Sequence, residues 1–157
     1  LSQRVLSMIF KNCDGVMPAL PAEPRDEDAA LLASADAMLD AVRAQIDLQA
    51  FHEALRVIWQ VVSDANRYVD NTAPWGLKKT DPPRMQEVLA VLAEVIRQVA
   101  ILVQPVMPEA TSKMLAQLGV PDNARGFDTI SGALRLPAGH VIDKPEPVFP
   151  RYIVEEA

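Results

Sequence analysis

At 157 residues, half of them apolar, the chain is long enough for one domain with a real core. It is rich in Ala, Leu and Val and poor in aromatics, which favours helices over a β-sandwich. A formal net charge of −6 argues against a nucleic-acid binder working by bulk electrostatics, but leaves room for a small basic face.

Residues 1–13 read as a helix. Leu1, Val5, Met8, Ile9 and Cys13 recur at helical spacing, with Leu6 and Phe10 widening the stripe. Arg4, Ser7 and Lys11 share the other face. Gly15 can close this helix in the left-handed conformation. A proline-spaced connector, 17–24, follows and cannot be helical. Residues 26–47 predict one continuous helix, its stripe made by Leu31, Leu32, Ala35, Met38, Leu39, Val42 and Ile46. Asp26, Glu27 and Asp28 lie at its positive end and read as part of a solvated acidic face.

Asp47 is a candidate cap for the next helix, about 48–70, with a core stripe of Phe51, Leu55, Ile58, Trp59, Val62 and Val69. Residues 71–81 read as a loop. Pro82-Pro83 opens a helix to about Gln104 that is apolar on more than one side and reads as the central, most buried element. Pro108 starts a short helix closed by Gly119. From Pro121 onward Gly and Pro are frequent. Phe127–Leu136 has a weak strand-like alternation, and residues 144–150 read as extended, polyproline-like chain. The expectation is an all-α bundle of about five helices over residues 1–120, with residues 121–157 an extended tail lying on the bundle or against a neighbour.

Little in the chain suggests catalysis. His52 and His140 are far apart, no Ser, Cys or Asp has a nucleophile-like context, and no glycine-rich phosphate loop is present. The lone Cys13 excludes an intrachain disulfide and a cysteine zinc site, and fits a reducing, cytosolic setting. No apolar run approaches the ~18–20 residues of a membrane span. There is no signal-like start or initiator methionine, and the opening inside a helical pattern reads as a piece of a longer protein.

One stretch stands out, residues 63–84. It leaves a helix through Asn71-Thr72-Ala73-Pro74, sets Trp75 on the exit, and follows it with Lys78, Lys79 and Arg84. Trp75 is either a packed loop anchor or a stacking platform for an unpaired base. Lys78, Lys79 and Arg84 are candidate phosphate contacts. Asn66, a mid-helix amide on the Phe51/Leu55/Trp59 side, reads as a prop for the loop that presents Trp75.

Ala65-Asn66-Arg67-Tyr68, then Ala73-Pro74-Trp75 and Lys79-Thr80-Asp81, resembles the signature of the helical anticodon-binding domain of methionyl-tRNA synthetases, a class Ia family. Leu1–Val5 with Lys11–Gly15 resembles that domain's first helix, Gln104–Pro108 with Leu118-Gly119 its later junction, and Lys144–Arg151 the end of the synthetase core. The order and spacing of these segments cover nearly the whole chain.

The resemblance implies binding of the CAU anticodon loop of methionine tRNA. Trp75 would stack on an anticodon base, the first-position cytosine being the key one, and Arg4 would hydrogen-bond anticodon bases. The family also uses an asparagine one turn before that arginine, a position upstream of Leu1. The family's HIGH and KMSKS motifs are absent from these residues. ATP and methionine would therefore bind a separate catalytic domain, this segment would need no cofactor or metal of its own, and alone it would be inactive. The implied setting is a cytoplasmic, non-membrane, monomeric ligase. Two other readings stay open: the similar bundle of a Cys, Ile, Leu or Val synthetase, and a helical module that binds no RNA and uses the acidic 26–47 helix.

Overall fold

The computed structural model describes residues 1–130 and 134–149. In chain order its helices are α1 (Ser2–Asn12), α2 (Asp26–Asp36), α3 (Met38–Asp47), α4 (Phe51–Thr72), α5 (Pro74–Thr80), α6 (Pro82–Val103) and α7 (Pro108–Gln117). Two 3-10 turns follow, Asp122–Ala124 and Phe127–Thr129. The all-α expectation is met: all five predicted helices are present, one of them divided, and α5 is additional. Among the described residues the β-type pairing is an isolated bridge between Val16 and Val141.

α6 is the axis, as its pattern predicts. α1, α2, α4, α5 and α7 all pack on it, so a helix apolar on several sides finds a neighbour for each. Leu89, Leu92 and Ile101 are completely buried, each contributing roughly 1.5–3 kcal/mol by leaving water.

The predicted 26–47 helix is broken at Ala37. α2 packs on both α6 and α4, while α3 packs chiefly on α4, so the break turns the second half of the segment away from α6. The predicted loop 71–81 contains α5, because Pro74 sits in its first turn and supplies the φ a helix needs. α4 starts at Phe51, after Gln49 turns the chain at φ +58, so Asp47 is no cap.

The core stripe of α4 is also different. Ala54, Ile58, Val61, Ala65, Tyr68 and Val69 are buried, whereas Phe51 and Trp59 are exposed and Leu55 about a third so. Ala54 and Ala65 let neighbouring helices approach closely, which larger side chains would prevent.

The strand-like alternation of Phe127–Leu136 is not a strand where the chain is described; it opens with the 3-10 turn. Described residues beyond 121 are tied to the bundle at several points. The amide of Ile142 donates to the Gly15 carbonyl at 2.8 Å, and that of Met17 to the His140 carbonyl at 2.9 Å. Within the core, Arg97 donates to Glu94 through Nε and Nη2 at 2.9 and 2.7 Å. The same guanidinium reaches the carbonyls of Thr129 and Ile130, both at 2.8 Å. Glu94 also accepts from the Leu136 amide at 2.9 Å. Arg151, the end of the resembling tail segment, lies outside the described residues.

Candidate nucleic-acid interface

The corner between α4 and α5 presents Trp75. The Thr72 hydroxyl donates to the Tyr68 carbonyl at 2.7 Å, and the Ala73 amide closes the last turn on the Val69 carbonyl at 3.0 Å. Ala73 then adopts a left-handed conformation, φ +43, ψ +59, which is costly for a residue with a Cβ. The turn reverses the chain and seats Pro74 in the interior. Trp75, one residue on, is 52% exposed. Lys78 and Lys79 follow, exposed on the last turn of α5, where cations suit the helix dipole. Leu77 packs against the core and fixes α5 to the bundle.

Arg4 reaches the same corner from α1. Its Nη2 stands 3.9 Å from Asp70 Oδ1, and both side chains are about half or more exposed. Asp70 lies on the last turn of α4, from whose end Trp75 departs. Such an exposed pair is worth little, roughly 0–1 kcal/mol, so Arg4 can exchange Asp70 for a ligand at small cost. The end of α4 thus has a loosely held guanidinium beside it, and α5, which departs from it, carries a half-exposed indole and two exposed lysines.

A shallow groove of about 460 Å³ between α2 and α4 borders this corner, lined by Glu27, Asp64 and Arg67 among others. Its carboxylates disfavour phosphate. Any nucleic acid on Trp75 is better accommodated from the α1 and α5 side.

A family described as "Anticodon binding domain of methionyl tRNA ligase" matches residues 18–157. The chain belongs to this family. The methionine–tRNA ligase of Rhizobium meliloti (strain 1021) is 50% identical over 157 residues, covering 100% of this chain and 30% of the relative. That of Mycobacterium tuberculosis (strain ATCC 25618 / H37Rv) is 46% identical over 156 residues, covering 97% and 30%. The crystal structure of free-state M. tuberculosis methionyl-tRNA synthetase superposes with a TM-score of 0.91 at 45% identity, covering 98% of this chain and 31% of that one. The same enzyme bound by methionyl-adenylate gives 0.90 at 45% identity, covering 95% and 30%. The chain spans about three-tenths of the length of the relatives it matches. The family match starts after α1, but the R. meliloti relative extends the similarity across it and so across Arg4.

Two residues of this anticodon-binding domain stand elsewhere than the sequence suggests. Arg84 is not a phosphate contact: it is 3% exposed. Its guanidinium forks onto Asp28, Nη1 to Oδ2 at 2.6 Å and Nη2 to Oδ1 at 2.7 Å. It also donates to Glu27 and Glu87 at 3.1 and 3.2 Å. Asn66 is half-buried, and its Nδ2 donates to the Val62 carbonyl at 2.9 Å. That bond lies within α4 and not on the Trp75 turn.

Asp28, read in the sequence as solvated, is completely buried. The Tyr68 hydroxyl donates to its Oδ1 at 2.6 Å. Burial alone would raise the Asp28 carboxyl; the bonds from Arg84 and Tyr68 and the charge of Arg84 outweigh it and hold the carboxyl below its ordinary value. Burial and then the Asp28 bond push the Tyr68 phenol well up. Nothing in the sequence signals this cluster, because its members come from α2, α4 and α6.

His52 is exposed at the start of α4. His140 directs its ring nitrogens at the carbonyls of Leu118 and Pro137, at 2.8 and 2.9 Å. Among the described residues no group of His, Cys, Asp or Glu side chains is arranged to hold a metal ion. No described helix is long and apolar enough to cross a membrane.

Proposed function

We propose that this domain recognises the CAU anticodon of methionine tRNA as part of a methionine–tRNA ligase, the enzyme that attaches methionine to its tRNA using ATP. The observation that carries the reading is Trp75, a half-exposed indole on a strained turn in a chain of the anticodon-binding family. The indole offers an unstacked anticodon base an aromatic face, the first-position cytosine foremost. Arg4 supplies donors for base edges, and Lys78 and Lys79 sit where the loop's phosphates pass. Asn66, bonded within α4, reads no base.

The rest of the ligase supplies the ATP and methionine sites and does the chemistry; this segment contributes tRNA binding without a cofactor. Residues 1–120 carry recognition, and residues 121–130 and 134–149 lie along the bundle on the way to the catalytic domain. The ligase works in the cytoplasm as a monomer.

Replacing Trp75 with Ala tests the reading. Binding of a CAU anticodon stem-loop should weaken by about 1–3 kcal/mol, or roughly 5- to 150-fold, with the melting temperature nearly unchanged. A large loss of melting temperature with RNA affinity intact would make Trp75 a structural anchor. Equal binding of CAU and GCA stem-loops by the unmodified chain would instead point to another synthetase of the class.

A further inference from the structure

We propose that Asp28 is a positioning residue for the Trp75 corner, holding both stems of the α5 excursion on one buried carboxylate. The proposal rests on the reading of Trp75 as the base platform. The stretch that carries Trp75 leaves α4 at Ala73 and re-enters a long helix at Asp81. Tyr68 lies just before the exit and Arg84 just after the return. Both end on Asp28, which belongs to neither helix: Tyr68 donates to Oδ1 at 2.6 Å, and Arg84 takes Oδ1 at 2.7 Å and Oδ2 at 2.6 Å. The Arg25 amide donates to Oδ2 at 3.2 Å and so fixes the carboxylate to the first turn of α2.

Asp28 is completely buried, Arg84 3% exposed and Tyr68 6% exposed, so water does not soften these bonds. The planar guanidinium meets the carboxylate in two parallel bonds, which set an angle as well as a distance. Asp81 extends the hold at the return, its Oδ1 accepting from the Arg84 amide at 3.1 Å. The last turn of α4 and the first turn of α6 are thereby locked in mutual register, and that register aims α5. Bulk stability does not require such an arrangement, since well-packed apolar side chains often replace a buried ion pair at no loss. What an apolar replacement cannot supply is direction.

The test uses the 157-residue chain with the exposed Trp59 changed to Phe, which leaves Trp75 the sole tryptophan. Four readouts are compared: melting temperature, acrylamide quenching of Trp75, anisotropy of its emission, and affinity for a CAU stem-loop. The informative variant is the apolar refill Asp28→Leu with Arg84→Met and Tyr68→Phe. It should keep its fold, yet show more quenching, lower anisotropy and about 5-fold weaker RNA binding, a partial loss of the stacking contribution.

Tyr68→Phe alone removes one oxygen and leaves the Arg84–Asp28 pair intact. It should fold and shift the same readouts by less, and it decides the matter if the refill does not fold. Wild-type quenching, anisotropy and affinity in the folded variants would overturn the proposal. Trp75→Ala in parallel separates the two ideas. If it leaves RNA affinity unchanged the anticodon reading fails, while quenching and anisotropy still decide whether Asp28 holds the corner.

Discussion

Gly119 ends α7 at φ +75, and a Cβ there would stand 2.6 Å from the His140 ring. The ring is held by two carbonyls, one of them Leu118 beside the glycine, so it has little room to retreat. Gly119→Ala adds left-handed strain to a clash and should destabilise the chain by about 2–4 kcal/mol in denaturant unfolding. The glycine's role as a helix stop is legible in the sequence; the histidine against it is not.

Asp28 makes the corresponding point for charge. Its folded-state pKa lies below the ordinary 3.8, so the unfolded chain takes up its proton first as pH falls. Its contribution is therefore present in full above about pH 4 and is lost as pH drops through the lower folded value. Asp28→Asn should flatten the fall of melting temperature below about pH 4, and an unchanged acid limb would show the carboxyl is not held low.

At the scale of elements, buried polar side chains decide how segments are joined. Arg97 and Glu94 sit inside α6, where sequence pattern places charge at the surface, and they hold Thr129, Ile130 and Leu136 against the helix. Arg97→Ala takes from the buried Glu94 its two-bond partner, leaving Arg135 at 3.6 Å as the remaining cation, and should cost about 3 kcal/mol. Limited proteolysis should then cut within residues 121–149 before it cuts the helices.

α4 shows why periodicity misleads. It carries apolar residues on two faces, and a reading by size picks Phe51, Leu55 and Trp59. Packing chooses the face containing Ala54 and Ala65, because interhelical distance is set by the smallest side chains at the contact. α5 was hidden for a related reason: Pro74 and Gly76 read as loop residues, yet Pro74 is at home in a first turn.

Over the whole molecule the charge is −6, while Lys78 and Lys79 stand exposed on the last turn of α5. If these two lysines make the phosphate contacts and Arg4 reads base edges, the slope of log K against log salt for a single-stranded loop should be roughly −1.4. A salt titration of CAU stem-loop binding measures it. A slope several times steeper would require cations elsewhere and would move the interface away from Trp75.

Family, helical class and the central position of α6 can all be read from the chain alone, because they rest on local periodicity, on proline and glycine punctuation, and on short motifs in a set order. Trp75 and Arg4 are likewise visible as residue types. The tertiary structure alone decides that Arg84 is a buried clamp and not a phosphate ligand, that Asp28 faces inward, and that Arg4 stands beside the turn from which Trp75 departs. Each of these depends on which distant segment a side chain meets. A buried charge is tolerated only where such a partner exists, and that partner is chosen by how the helices pack.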